Sequence, residues 1–297
     1  MKKLLILLMV AVLLIAATGC TTATSTPEDT GKKAILVTSF GTSYADTRAL
    51  TIEAIEAKYA ELYPDYEVVR AFTAQIIIDV LDERDGIDVM NVEEAFQYLK
   101  DNKFSDVIVQ PTLVMNGAEY DDMVAVVEAE KENFVSLKVG APLLTHVADY
   151  QNLVVALEDE VKAATTADDE AVVFMGHGTH HFANSTYAAL EYFFHDAGLD
   201  NVFIGTVEGY PELDDVIERL NENGIKKVTL YPLMLVAGDH ASNDMAGDEE
   251  DSWKTVLKKE GFEVKTVLRG LGEDEMIQEI YVEHTEAAMN AEEHAAE

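Results

Sequence analysis

Apolar and polar positions along this chain switch between two periods, short apolar runs that read as strands and runs with apolar residues every three or four positions that read as helices. A buried-type strand over 34–38 ends in Ser39-Phe40-Gly41-Thr42-Ser43. A helix is predicted from about Asp46, with Leu50, Ala54, Ile55, Tyr59 and Leu62 on one face and Pro64 to stop it. A strand over 67–71 and a short helix over 74–81 follow. Asn91 caps a helix to about Asn102, with Glu94 completing a capping-box pattern. Next come a strand over 106–110, a loop over 111–120 carrying Glu119, and a helix opened by Asp121 and Asp122, whose charge suits the helix dipole. A strand over 135–139 and a long helix over 150–164 close this half. Then the pattern restarts, with strands over 171–175, 202–206, 228–231 and 262–268 and helices over 185–196, 212–221, 249–259 and 273 to about 289. Such alternation predicts parallel sheets with helices on both faces, an α/β protein of two similar halves.

The halves match in detail. Gln110–Glu119 (QPTLVMNGAE) aligns with Tyr231–His240 (YPLMLVAGDH), so that Glu119 and His240 each lie two residues past a glycine. An Asp-Met pair follows in both, Asp122-Met123 and Asp244-Met245. Thr38–Thr42 (TSFGT) aligns with Met175–Thr179 (MGHGT), which sets Phe40 against His177. The strand over 172–175 stops at Gly176, and His177 sits between two glycines that permit a sharp turn and a close backbone approach. A histidine at such a strand end projects into the crevice where open α/β sheets bind ligands. Duplicated lobes facing across a cleft bring Glu119, His177 and His240 toward one space. Three nitrogen and oxygen ligands without a thiolate suit a borderline divalent metal in an open site.

Composition adds bounds. Lys2 and Lys3, an apolar run over 4–17 and Thr18-Gly19-Cys20 form a secretory signal peptide too short to span a bilayer comfortably. Cys20, the only cysteine of the 297 residues, stands where a bacterial lipoprotein is cut and acylated, although Ala17 replaces the usual leucine. Residues 1–20 are therefore expected to direct export, with a lipid on Cys20 holding the protein to the extracytoplasmic (periplasmic) face of a membrane. Residues 21–32 read as a flexible tether, 33–165 as one lobe and 166–297 as the other. No cysteine remains for disulfides or metal thiolates. The formal charge of −35 repels nucleic acid and attracts cations. Gly176-His177-Gly178 does not complete a dinucleotide fingerprint and no P-loop lysine exists, so no nucleotide cofactor is expected. His180 and His181 enrich the turn, at most one of them being expected to take part. His146 is expected to be structural or exposed, and His195, His284 and His294 to be exposed. The acids at 248–251 are explained by a helix N-terminus.

The motifs at 39–43 (SFGTS), 117–120 (GAEY), 176–180 (GHGTH), 207–211 (VEGYP) and 231–240 together resemble the anaerobic sirohydrochlorin cobaltochelatases of the CbiK type, class II chelatases related to ferrochelatase. The resemblance runs from Lys33 into the last helix. It departs at Leu113 and Asn116, where the family often has a histidine and a proline. It implies two flavodoxin-like lobes with a tetrapyrrole in the cleft, and ATP-independent insertion of Co2+ into sirohydrochlorin or a precorrin-2-type precursor of cobalamin. It assigns metal binding to His177, Glu119 and His240, with His177 and Glu119 also catalytic as ligand or base. Ser39, Phe40, Gly41, Thr42, Gly178, Thr179 and Glu208 are expected to contact the substrate, the backbone amides near Gly41, Thr42, Gly178 and Thr179 cradling its carboxylates. Insertion of Fe2+ or Ni2+, and a bilobed lipoprotein that binds a metal or tetrapyrrole without catalysis, are the alternatives. The partners expected are the tetrapyrrole and the membrane, with a homo-oligomer left open and nucleic acid excluded.

Overall fold

The computed structural model describes residues 26–291. The signal segment, Cys20 and His294 lie outside the described residues. Among the described residues, eight strands form two four-stranded parallel sheets. In the first, β1 (Lys33–Ser39), β2 (Tyr66–Phe72), β3 (Asp106–Pro111) and β4 (Ser136–Val139) take the order β2-β1-β3-β4. In the second, β5 (Glu170–Gly176), β6 (Val202–Thr206), β7 (Lys227–Pro232) and β8 (Glu263–Thr266) take the same order, β6-β5-β7-β8. The repeat read from sequence is present in the register, since Thr38 pairs with Pro111 in one sheet and Met175 with Pro232 in the other. This is a flavodoxin-like order, with the chain reversing direction between β1 and β3 and between β5 and β7.

Among the described residues, ten α-helices cover the sheets: α1 (Ala45–Leu50), α2 (Ile52–Leu62), α3 (Gln75–Val80), α4 (Val92–Asp101), α5 (Ala118–Glu130), α6 (Val147–Ala164), α7 (Ser185–Asp196), α8 (Leu213–Glu222), α9 (Trp253–Lys259) and α10 (Glu275–Asn290). Local chemistry explains several boundaries. Asn91 and Glu94 form the expected capping box at α4. The helix predicted from Asp46 is broken at Thr51, whose hydroxyl bonds back to Thr47 O. Ile52, Ile55 and Tyr59 face the core, whereas Leu50 and Leu62 are exposed. Asp248–Asp251 precede α9 instead of filling its first turn, because Ser252 is the N-cap and accepts from Thr255 N. Residues read as tether are fastened from Asp29 onward, with Thr30 Oγ1 donating to Lys103 O at 2.6 Å and Lys32 Nζ to Asn102 O at 2.9 Å.

One apolar core joins the lobes, running from Ile35, Val37 and Tyr59 to Val172, Phe174 and Phe194. Two further clusters fill the outer faces, under α4 and α5 in one lobe and α8 and α9 in the other. The last helix of each half crosses over. α6 follows β4 yet packs on β5 and α7, and its Glu160 pairs with Arg269. α10 follows β8 yet packs on β3 and β4. There His284, expected to be exposed, is buried, its ring nitrogens 3.0 Å from Ala141 O and 3.1 Å from Asp149 Oδ1. Thr285 hydrogen-bonds with Tyr59 and Gln110, both buried in the first lobe. This exchange holds the two switch points opposite one another.

Candidate metal centre

A cavity of about 490 Å3 lies between the lobes, lined by the turns that follow β1, β3, β5 and β7. These are the strand ends where doubly wound sheets bind ligands. The β5 turn carries His177. Glycine is required on both sides of it: a Cβ on Gly176 would lie 2.3 Å from the Tyr187 ring, and one on Gly178, at φ +85°, 2.4 Å from Gly209 N. This close approach lets Val207 N donate to Gly176 O at 3.0 Å and Glu208 N to His177 O at 2.8 Å. Glu208 is thereby fixed beside His177.

His240 enters from the β7 turn, at the start of the short π-helical turn Ala241–Met245. Its ring meets that of His177 edge to face, with centroids 4.8 Å apart. His177, Glu208 and His240 each offer a ligand atom within 4.8 Å of the others. Ligand atoms bound at about 2.1 Å with tetrahedral angles stand about 3.4 Å apart, so side-chain shifts of about 1 Å bring all three onto one cation. The tautomers are set from behind. His177 Nδ1 lies 2.8 Å from Gly178 O, which only accepts, so Nδ1 carries a proton and Nε2 is the nitrogen available to a metal. His240 Nδ1 lies 2.6 Å from Asp244 Oδ2, with the same consequence for its Nε2.

Glu119 lines the same cavity, in the first turn of α5 instead of the expected loop, but stands outside this group of three. Glu208, read from sequence only as a substrate contact, completes the group. The signal for it was Gly209: a Cβ there would meet Asn184 Oδ1 at 2.4 Å and Gly178 Cα at 3.1 Å, so the 207–211 motif must press against the histidine turn. Phe40 forms an aromatic wall, its centroid 6.2 Å from that of His177. Gly41 and Thr42 line the cavity and their amides have no protein acceptor among the described residues. The expectation for the other pair of amides is corrected. Gly178 N already donates to Tyr187 Oη at 3.1 Å and Thr179 N to Asn184 Oδ1 at 3.1 Å, so neither is free for an anion. Ser39 is buried, its hydroxyl 2.6 Å from Thr112 Oγ1, where it ties the β1 turn to the β3 turn.

Two tyrosines frame the cavity. Burial, above all, pushes the Tyr187 phenol up to about 12, with the nearby Glu119 charge adding to it, so the hydroxyl stays neutral. Tyr44 is also raised, by burial first and then by its hydrogen bond to Asp239. That bond, 3.0 Å long, crosses between lobes, as do Thr47 Oγ1 with Ala237 N at 3.2 Å and His181 Nε2 with Asp121 Oδ2 at 3.3 Å. His180 is exposed.

The model of the family described as cobalt chelatase (CbiK) matches residues 33–290. A sirohydrochlorin cobaltochelatase of Salmonella typhimurium (strain LT2) is 43% identical over 259 residues, covering 87% of this chain and 97% of the relative. Sirohydrochlorin cobaltochelatase CbiKC of Nitratidesulfovibrio vulgaris (strain Hildenborough) is 38% identical over 263 residues, covering 88% and 92%. Among solved structures, SirB from Bacillus subtilis with Fe3+ superposes with a TM-score of 0.61 at 14% identity, covering 87% of this chain and 96% of SirB. At that identity the likeness speaks for the fold alone.

Proposed function

The chain belongs to the cobalt chelatase (CbiK) family, and from that premise we propose that it inserts Co2+ into sirohydrochlorin without a nucleotide, a step of cobalamin biosynthesis. The observation that carries this reading is the convergence of His177, Glu208 and His240 beside a cavity lined by both lobes. Co2+ is a substrate here. Two neutral imidazoles and one carboxylate are a donor set a borderline divalent ion accepts and can leave. Insertion forms metal–nitrogen bonds and releases two pyrrolic protons, so the site must both hold a cation and take up protons. Glu119, on the cavity wall and outside the histidine group, is suited to receive a proton or to anchor the cation as it moves. Phe40 offers a face to the macrocycle, and the free amides of Gly41 and Thr42 offer donors to its carboxylates. The acidic surface raises the local concentration of cations.

The test is anaerobic. The purified protein is mixed with sirohydrochlorin and Co2+, and the macrocycle's absorption is followed against His177→Ala. Metallation well above the uncatalysed rate, lost in the variant, is expected. Tight tetrapyrrole binding with no acceleration would leave a carrier. Repeating with Fe2+ and Ni2+ ranks the metals.

For its place in the cell, we infer an exported protein tethered by a lipid on Cys20, on the strength of Lys2, Lys3, the apolar run and the lone cysteine. Labelled fatty acid should enter the protein in cells and be lost in Cys20→Ser. Label retained in that variant would sink the anchor.

A further inference from the structure

We propose that Asp244 is a positioning residue of the metal centre, holding His240 with Nε2 toward the cation and strengthening it as a ligand; this rests on the reading of His177, Glu208 and His240 as the cation's ligands. The two histidines are supported differently. His177 Nδ1 meets a neutral carbonyl at 2.8 Å, whereas His240 Nδ1 meets a carboxylate at 2.6 Å. A carboxylate behind an imidazole fixes its tautomer and ring orientation and makes its other nitrogen more basic, where a carbonyl does only the first of these to the same degree. His240 then anchors the incoming ion and His177 is the more readily released ligand, which is the asymmetry a site needs when it must hold a cation and then give it up.

Asp244 is free to do this because it does little else. It makes no other hydrogen bond or ion pair among the described residues. The loop around it is held by other groups: Asp239 by Tyr44 and Asn243, and Ser242 N by Gly238 O. The side chain is partly exposed, at 44%, so its core contribution is small. The π-helical turn sets its reach, Ala246 N bonding to Ala241 O and Gly247 N to Asn243 O around the carboxylate's own residue. π-turns of this kind recur at functional sites. The equivalent acid of the other half, Asp122, lies on α5 and is exposed without a histidine before it, so the device is confined to one lobe.

The experiment titrates Co2+ alone into the purified protein under anaerobic conditions, reading the visible d–d bands and a competing chelator. In Asp244→Ala the dissociation constant is expected to rise about 10- to 100-fold, with altered d–d bands. Asp244→Asn, which keeps an acceptor but loses the charge, falls between it and the wild type. In a His240→Ala background, adding Asp244→Ala changes affinity by less than about twofold, because nothing remains to be oriented. Unchanged affinity in both Asp244 variants, or an equal loss with and without His240, would overturn the proposal. Thermal unfolding of each variant separates these outcomes from misfolding. A wild-type protein that binds Co2+ but does not metallate sirohydrochlorin sinks the chelatase reading while the Asp244 comparison stands; one that metallates normally with Asp244→Ala binding Co2+ as before sinks Asp244 alone.

Discussion

At equivalent places the two lobes carry different chemistry: β1 leads to Phe40 where β5 leads to His177, and the turn after β3 leads to Glu119 where that after β7 leads to His240. All three members of the tight group, Glu208 included, come from the second lobe. The first lobe supplies the aromatic wall, two free amides and a separate carboxylate. A duplicated fold has thus divided labour, one half holding the cation and the other facing the rest of the cavity. The same backbone geometry serves both, since Gly41 and Gly178 hold φ values of +100° and +85° at matching positions.

The largest expected effect tests that division directly. His177→Ala and His240→Ala each should lower metallation about 10²- to 10⁴-fold, the range for losing a group that handles protons or positions the reactants. Phe40→Ala should cost less, and mainly in KM for the tetrapyrrole. The exchange Phe40→His with His177→Phe should not recover activity, because its new imidazole would stand in the lobe that lacks the other ligands. Recovery to within about tenfold of the wild type in the anaerobic assay would show the lobes to be interchangeable, against the division argued above.

A second effect concerns what keeps the lobes opposed. His284, carried on the crossing helix, meets Asp149 of the other lobe in a buried pair. Removing His284 takes the partner from Asp149 Oδ1 while Oδ2 keeps Thr145 N and His146 N, so His284→Ala should cost about 2 kcal/mol of stability. Denaturant unfolding measures it. A loss below about 1 kcal/mol would mean that the apolar contacts of α10 and the Thr285 hydrogen bonds hold the exchange without it.

The strands, their division into two halves and the turns bearing His177 and His240 were legible because strand periodicity and glycine spacing are local signals. The repeat alignment agrees with the register, because Thr38 and Met175 are aligned and pair with the aligned Pro111 and Pro232. The crossing of α6 and α10 was not legible. An amphipathic face tells that a helix is buried but not on which sheet, and His284 looked like a surface residue for that reason. The place of Glu208 beside the two histidines was not legible, since its proximity to His177 arises from backbone pairing between Gly176–His177 and Val207–Glu208, which no periodicity reports. The amides of Gly178 and Thr179 were expected to be free because the partners that occupy them, Tyr187 and Asn184, lie several residues on.

Matched glycines sharpen the comparison further. Gly41→Ala and Gly178→Ala both force a side chain into a positive-φ turn, with the new Cβ about 2.5 Å from the Phe72 ring in one case and 2.4 Å from Gly209 N in the other. Each should cost about 1–3 kcal/mol of stability. Their effects on Co2+ affinity should diverge. Gly178→Ala displaces the segment that sets Glu208 beside His177 and should weaken binding, whereas Gly41→Ala should leave Co2+ affinity within about threefold. Equal weakening in both, by the d–d titration, would mean that the first lobe contributes to holding the ion.

The smallest effect lies at the seam. Tyr44 of the first lobe donates to Asp239 of the second, immediately before His240, and burial and that bond keep its phenol protonated well above neutral pH. Tyr44→Phe removes one hydrogen bond to a charged acceptor at a partly exposed position, worth about 1 kcal/mol. Asp239 retains Asn243 as a partner at 2.9 Å, so the turn should persist and Co2+ affinity should hardly move. What should change is the approach of the lobes: with one fewer tie at the cavity margin, the tetrapyrrole should dissociate a few times faster while kcat is kept. Stopped-flow release of the macrocycle reads this directly. An unchanged release rate together with weakened Co2+ binding would place Tyr44 with the metal group of the second lobe instead of at the boundary between the two.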